Sequence, residues 1–63
     1  MYKTYIVSVM FRRWNREAMQ IKVYTYIENR IDEVIRKVME EHAKDCLDPK
    51  KYYVKSINVE AQY

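Results

Sequence analysis

One pair of side chains has the spacing that catalytic or metal chemistry would need. His42 and Cys46 lie four residues apart, so a helix would place both on one face. They could form a thiolate–imidazolium pair or half of a tetrahedral zinc site. Zinc, however, needs about four ligands, and the chain has one histidine and one cysteine. We therefore expect both side chains to belong to the core and predict no metal site.

The absence of glycine excludes several classes of catalytic and nucleotide-binding site. Phosphate-binding loops, dinucleotide fingerprints and nucleophile elbows need glycine for close backbone approach or for positive φ. Ser8, Ser56 and His42 do not form a recognisable catalytic set either. The sequence therefore predicts a protein that is not an enzyme, with no catalytic residue and no cofactor.

A second group of residues is suited to binding. Arg12, Arg13, Trp14 and Arg16 lie in the stretch FRRWNREAM at residues 11–19. A turn must be polar, but lysine, serine or glutamate would meet that need equally well. Arginine donates five hydrogen bonds and stacks on planar groups, and with tryptophan it is enriched at binding hot spots. The stretch predicts a contact site for protein or nucleic acid, and a solvated turn without function is the alternative.

The net charge of +3 hides a division along the chain. Residues 1–27 carry five basic side chains against one acidic one, and residues 49–63 carry three against one. Residues 28–48 carry four basic against seven acidic side chains. The chain therefore has basic terminal segments and an acidic middle segment.

The length predicts a single compact domain over residues 1–63, with marginal stability. A lone cysteine excludes a disulfide within the chain and is typical of a reducing compartment. No apolar stretch approaches the ~20 residues that span a bilayer. We expect a cytoplasmic protein with no membrane contact.

Alternating apolar and polar residues over 5–11 and 17–27 predict two half-buried strands. If the odd-numbered residues of both strands face the core, Phe11 pairs with Met19 and a three-residue loop centred on Asn15 joins the strands. Such a loop needs one left-handed residue, and asparagine is the most tolerant type after glycine.

This register also predicts what the uncovered face of the sheet carries. The even-numbered residues Lys22, Tyr24 and Tyr26 would point away from the core. Tyrosines there could form cross-strand pairs, a protein interface or a surface on which nucleic-acid bases stack.

Apolar residues with helical spacing run from Ile31 to Cys46 and predict one amphipathic helix. Asn29 is the predicted N-cap, and Asp48 followed by Pro49 is the predicted end. Oppositely charged residues four apart predict ion pairs on the outer face: 32 with 36, 33 with 37, and 40 with 44.

Residues 52–61 predict a third strand, in which Tyr52 and Val54 share one face and the apolar residues from Ile57 onward share the other. A β-bulge around Lys55-Ser56 would bring both groups to the core side. The order β-β-α-β predicts an α+β fold of two layers, a three-stranded sheet with one amphipathic helix packed on one face. Whether the third strand lies beside the first, in parallel, or at the other edge stays open.

A weak family resemblance rests on the residues Val9-Met10-Phe11, Trp14, Glu17-Ala18-Met19, Lys22 and Thr25. With the short, glycine-poor, tyrosine-rich β-β-α-β pattern, they resemble small phage-encoded host-takeover and anti-defence proteins. Within that group the chain resembles the Dmd-type antitoxin of T-even phages, which neutralises a host endoribonuclease toxin. The resemblance implies a stoichiometric inhibitor that acts by direct binding in the cytoplasm of an infected host cell.

Two functions stay open from the sequence. The first is a non-catalytic phage-type inhibitor, antitoxin-like or anti-defence, that binds an acidic or RNA-binding surface of a host protein. The second is a small basic nucleic-acid-binding module that uses a Tyr/Arg sheet face and the hairpin. A homodimer is compatible with either. The predicted partner-binding residues are Arg12, Arg13, Trp14, Arg16, Lys22, Tyr24 and Tyr26.

Overall fold

The computed structural model describes residues 2–62. Its elements are β1 (Lys3–Arg13), β2 (Gln20–Glu28), α1 (Ile31–His42) and β3 (Tyr52–Gln62). The strands form one sheet in the order β2-β1-β3, and β1 is antiparallel to both neighbours. The predicted α+β fold, with β-β-α-β order, a three-stranded sheet and one helix, is confirmed.

β3 lies beside β1 but runs antiparallel to it, so the parallel arrangement considered from the sequence is wrong. β2 ends where β1 begins, because Glu28 pairs with Lys3. β3 starts where β1 ends, because Tyr52 pairs with Arg13. α1 and the loop after it therefore carry the chain back along the sheet, and they connect two strands, β2 and β3, that are parallel to each other.

The predicted β-bulge in β3 is confirmed. Met10 pairs with Ser56 and the next residue, Phe11, pairs with Val54, so Lys55 is the extra residue. The bulge restores the alternation and places the apolar residues on both sides of it on the face that carries α1.

The core is small and is centred on β1, the middle strand. The ring of Phe11 meets that of Tyr52 edge-on, with 5.4 Å between ring centroids. Alternate residues of β1 are enclosed by two valines of α1 and by the turn that follows it. The buried side chains are Tyr5, Val7, Val9, Phe11, Val34, Val38 and Cys46.

The register between β1 and β2 differs from the predicted one by a single residue. Phe11 pairs with Gln20 and not with Met19. Because side chains alternate between the two faces of a strand, this shift turns every residue of β2 over. Lys22, Tyr24 and Tyr26 therefore lie on the face that carries α1, and the prediction that these three residues lie on the uncovered face is wrong.

The turn between β1 and β2 explains why the predicted pairing of Phe11 with Met19 is wrong. β1 and β2 are joined by residues 14–19, so the connection is longer than the predicted three-residue loop. The Arg16 N–H donates to the Arg13 carbonyl at 3.0 Å, and no residue from 2 to 62 has a positive φ. The turn is therefore compatible with type I, and the left-handed conformation predicted for Asn15 is wrong.

α1 is shorter than the sequence pattern predicts. It ends at His42, and Arg30, which makes no side-chain capping bond, occupies the N-cap position predicted for Asn29. Beyond the helix, the N–H groups of Asp45 and Cys46 both donate to the His42 carbonyl, at 3.1 and 3.2 Å. This turn holds Cys46 in the core without a continuous helix. In the described part of the chain, no helix has the length and apolar character needed to cross a membrane.

Candidate binding site at the hairpin tip

Six cationic side chains and one tryptophan gather at one end of the sheet, and we call this group the basic tip. The β1–β2 turn supplies most of it. The pairing of Arg13 with Tyr52 brings the loop before β3 to the same end. The basic tip comprises Arg12, Arg13, Trp14, Arg16, Lys22, Lys50 and Lys51.

Trp14 ties the hairpin turn to the loop before β3. Its indole Nε1–H donates to the Pro49 carbonyl at 3.1 Å, and its backbone N–H donates to the Lys51 carbonyl at 3.4 Å. Its ring lies 5.7 Å from the Tyr53 ring, tilted by 59°. The side chain is nonetheless 59% exposed. Trp14 therefore organises the tip and still offers an aromatic surface to a partner.

Two arginines lie over tyrosine rings of β3. The Arg12 guanidinium is 5.7 Å from the Tyr53 ring centroid, and that of Arg13 is 5.6 Å from the Tyr52 centroid. Such cation–π contacts fix the orientation of the guanidinium and leave its charge intact. The Arg12 Nε–H is buried and has no hydrogen-bond partner, so the ring contact does not satisfy it.

Two shallow depressions adjoin the turn, and Arg13 lines both. The first depression lies on the helix side of the sheet. Besides Arg13, it is bounded by the cations Arg16 and Lys22 and by the carboxylate of Asp45. Its lining residues are Phe11, Arg13, Arg16, Gln20, Lys22, Asp45 and Tyr52. The second lies between the turn and the loop before β3, lined by Arg13, Trp14, Asn15, Lys50 and Lys51. Both depressions present positive charge to solvent.

The cations of the tip have no carboxylate partner. Among residues 2–62, the ion pairs are formed by α1, the residues beside it and the end of β2, and none includes a cation of the basic tip. Asp48, the acid next to the two lysines, accepts a hydrogen bond from the Lys50 backbone N–H at 3.0 Å. The tip therefore keeps its charge available for an anionic partner.

Lys50 and Lys51 were not predicted as site residues. They reach the tip only because β3 starts at the end of the sheet where β1 stops. The sequence left the position of β3 open, so the signal for these lysines was a basic pair before a predicted strand and nothing more specific. The structure brings Arg12, Arg13, Trp14, Arg16 and Lys22, all predicted, together with them.

The remaining predicted site residues, Tyr24 and Tyr26, lie elsewhere, in a cluster around His42. The Tyr24 ring stacks on the imidazole with 3.6 Å between centroids, and its hydroxyl lies 3.3 Å from the Cys46 Sγ. The Tyr26 hydroxyl lies 2.7 Å from the His42 Nε2 and donates to Glu41 at 3.1 Å. These contacts explain why both tyrosines are half-buried. We therefore exclude Tyr24 and Tyr26 from the candidate binding site.

The phenols of this cluster are held in their neutral form. Burial, and next the hydrogen bond with Cys46, raise the pKa of Tyr24 well above its usual range. Burial and the neighbouring Glu41 carboxylate raise the pKa of Tyr26 from 10.0 to about 12. Both shifts follow from the cost of placing a phenolate in a poorly hydrated site beside groups that do not stabilise it.

His42 and Cys46 take their places around these tyrosines. Cys46 is fully buried and lies against the Tyr24 hydroxyl. His42 is half-buried and contacts both tyrosines and the carboxylates of Glu41 and Asp45, at 3.9 and 3.5 Å. Within residues 2–62, no group of three or more His, Cys, Asp or Glu side chains has a geometry that could hold a metal ion. The prediction that both are core residues agrees with their burial, fully for Cys46 and in part for His42.

Comparison with protein families, with curated proteins and with solved structures found no match to this chain.

Proposed function

We propose that this chain is a non-catalytic binding protein whose basic tip docks on an acidic surface of another protein and blocks it. The observation that carries the proposal is the unpaired charge: six cations converge around an exposed Trp14, and no carboxylate of the described residues forms an ion pair with them.

The residue types of the tip support a protein partner. Tryptophan, tyrosine and arginine are the types that dominate binding hot spots. The tip is also organised before binding, because Trp14 is bonded to the Pro49 carbonyl and two arginines are oriented over tyrosine rings. Ordered side chains lose less conformational freedom on association, so more of the contact energy appears as affinity.

Inhibition is the simplest outcome of such docking. A domain without catalytic groups acts on a partner by covering a surface that the partner needs. The same proposal includes the phage-type role, antitoxin-like or anti-defence, in the cytoplasm of an infected host cell, which the resemblance of residues 9–25 suggested.

A nucleic-acid partner is the second candidate, and the cations with the exposed Trp14 ring favour it. The stacking surface that the sequence suggested for it is missing, however. Tyr24 and Tyr26 face α1, and the opposite face of β2 presents Ile21, Val23 and Ile27. A nucleic acid would therefore contact the tip alone, and we favour protein.

Affinity capture from a nuclease-treated lysate of the host tests the proposal. The wild-type chain is compared with Arg13→Ser/Arg16→Ser, which removes two charges from the tip, and with Lys44→Ser/Lys55→Ser, which removes two exposed charges elsewhere. We expect one or a few proteins to be retained by the wild type and by the lysine variant and to be lost from the arginine variant.

Two results would overturn the proposal. One is the recovery of no protein above background at micromolar bait. The other is binding to single-stranded RNA or DNA at 50 mM salt, with log K falling by roughly 0.7 per phosphate contact as log[salt] rises, while the nuclease-treated lysate yields nothing. The second result would establish the nucleic-acid function.

A further inference from the structure

The face of the sheet opposite α1, which we call the open face, is unusually apolar along β2. Ile21, Val23 and Ile27 are 59%, 59% and 68% exposed. Ile6 and Met10 of β1 lie on the same face, because Ile6 pairs with Thr25 and Met10 with Ile21. An antiparallel sheet that meets water on one face usually carries polar residues there. The β2 part of this face therefore has the composition of a buried surface.

The open face also lacks charge. A third of the chain, 33%, is charged, whereas the charged residues of the strands on this face are Arg12, Glu60 and the exposed bulge residue Lys55, which follows Val54 of the opposite face. By the strand pairing, its members are Thr4, Ile6, Ser8, Met10, Arg12, Ile21, Val23, Thr25, Ile27, Tyr53, Ser56, Asn58, Glu60 and Gln62. Depletion of charged residues marks the centre of protein interfaces better than apolar content does.

From this pattern we propose that the open face is the interface of a homodimer, in which two copies pack sheet on sheet. The open face shares Arg12 with the basic tip but is otherwise a separate surface, and the inference does not rest on the proposed function. Three properties of the face favour a second copy over another partner: its charge balance, its size and the small core behind it.

The charge balance suits a face that meets itself. A two-fold interface places the same patch on both sides, so a face with a large net charge would repel its copy. Here Arg12, Lys55 and Glu60 leave a net charge of one, which is small for a face built from three strands. If the strands of the two copies run antiparallel, the end with Arg12 in one copy lies over the half with Glu60 in the other, which places unlike charges near each other.

The size of the face reaches the lower end of the range for dimer interfaces. Three strands of about ten residues present roughly 35 by 14 Å, which is about 490 Å² per copy. Two copies together therefore bury about 1,000 Å², the lower limit for a specific protein interface. Two sheets packed in this way lie about 10 Å apart with their strands within about 30° of each other.

The small core gives the chain a reason to dimerise permanently. Seven side chains are fully enclosed in the described residues, and domains of this length are marginally stable alone. Burying Ile21, Val23 and Ile27 against a second copy adds a second apolar layer on the other side of β1 and β2. Another copy of the chain is the partner that is present whenever the chain is.

Sedimentation and an isotope-filtered NOE experiment on the wild type test the proposal without any substitution. We expect sedimentation at 10–100 µM to give twice the 7.8 kDa mass of the chain. In a mixture of ¹³C-labelled and unlabelled chains, we expect intermolecular NOEs at the methyl groups of Ile21, Val23 and Ile27. The thermal midpoint should also rise with protein concentration, because dilution favours the monomer.

A matched pair of substitutions tests the same surface. Val23→Lys places a charge at the middle of β2 on the open face, and we expect it to weaken the dimer at least 100-fold. Ile35→Lys changes an exposed apolar residue of α1, 48% exposed, and should leave the dimer intact. A monomer at 100 µM would overturn the proposal. So would intermolecular NOEs confined to the methyls of Ile31, Ile35 and Met39, or loss of the dimer in Ile35→Lys but not in Val23→Lys.

Discussion

The cations of α1 and the cations of the basic tip have opposite surroundings. Arg36 lies between two carboxylates, 2.7 Å from Glu33 and 3.1 Å from Glu40, and Lys37 pairs with Glu28 of β2. At the tip, Arg12 and Arg13 meet tyrosine rings, and neither they nor the other tip cations form an ion pair in the described part of the chain. The positive charges of the helix are neutralised within the fold, whereas those of the tip form no ion pair among the described residues.

This contrast distinguishes cations that stabilise the fold from cations that do not. The pKa values of Arg36 and Lys37 are raised, chiefly by hydrogen bonds to Glu33 and to Glu28 respectively, so these charges are stabilised where they lie. A group of like charges without such partners destabilises a compact state. Its presence at the tip is therefore not explained by folding, and the proposed binding function would account for it.

The largest effect should follow charge reversal at the tip. Arg13→Glu/Arg16→Glu should lower the affinity for a captured protein partner by about 100-fold or more, since like charges face each other across the contact. The fold should persist in circular dichroism. Titration calorimetry with the purified partner measures the change, and an affinity within threefold of the wild type would show that the partner binds elsewhere.

Trp14 should have a smaller effect that divides between binding and stability. Trp14→Ala removes the bond to the Pro49 carbonyl and the contact with Tyr53, so we expect the free energy of unfolding to fall by about 1 kcal/mol and partner affinity to fall about tenfold. Trp14→Phe keeps a ring and loses only the hydrogen bond. If the two variants bind equally poorly, the ring itself does not contact the partner.

Removing a positive charge from α1 should change the stability of the fold but not the affinity for a partner. Arg36→Ala removes two exposed ion pairs, so we expect a small fall in the free energy of unfolding at low salt and an unchanged partner affinity. Urea unfolding at 20 mM and at 500 mM salt measures this, because salt screens exposed pairs. A loss of partner affinity in Arg36→Ala would remove the distinction between the two regions.

The smallest effect concerns the tyrosines that the structure removed from the site. The folded pKa of Tyr26, about 12, lies above its usual 10.0. The folded state therefore holds the phenol proton more tightly than the unfolded state. This stabilisation is fully present below pH 10 and is lost as the pH rises toward 12. Tyr26→Phe should flatten the fall in stability over that range, and an unchanged alkaline unfolding curve would contradict the assignment.

The sequence predicted the fold class, the number of elements and the bulge, because these depend on local patterns. The alternation on either side of Lys55 was enough to place the bulge. The grouping of the turn arginines with Trp14 at one tip follows from their closeness in sequence, and that this tip binds a partner stays a prediction.

The register of β2 and the charge pairing on α1 could not be predicted in the same way. Tyrosine has both an apolar ring and a polar hydroxyl, so Tyr24 and Tyr26 fit either face until His42 and Cys46 are in place. The ion pairs predicted between residues four apart on α1 are wrong. Glu33 and Glu40 lie on either side of Arg36 and both bind it. The predicted pairs of Asp32 with Arg36 and of Glu33 with Lys37 therefore do not form. These outcomes depend on tertiary contacts and on competition between neighbours.

The most direct test of the central claim needs no partner. Arg16→Ser/Lys50→Ser removes two tip cations that make neither ion pairs nor ring contacts, and urea unfolding at 20 mM salt compares it with the wild type. If the charges of the tip serve binding and not the fold, the free energy of unfolding should stay equal or rise, because like-charge repulsion is relieved. A decrease of more than about 1 kcal/mol, a typical single-mutation cost, would show that these cations hold the fold together and would contradict the account.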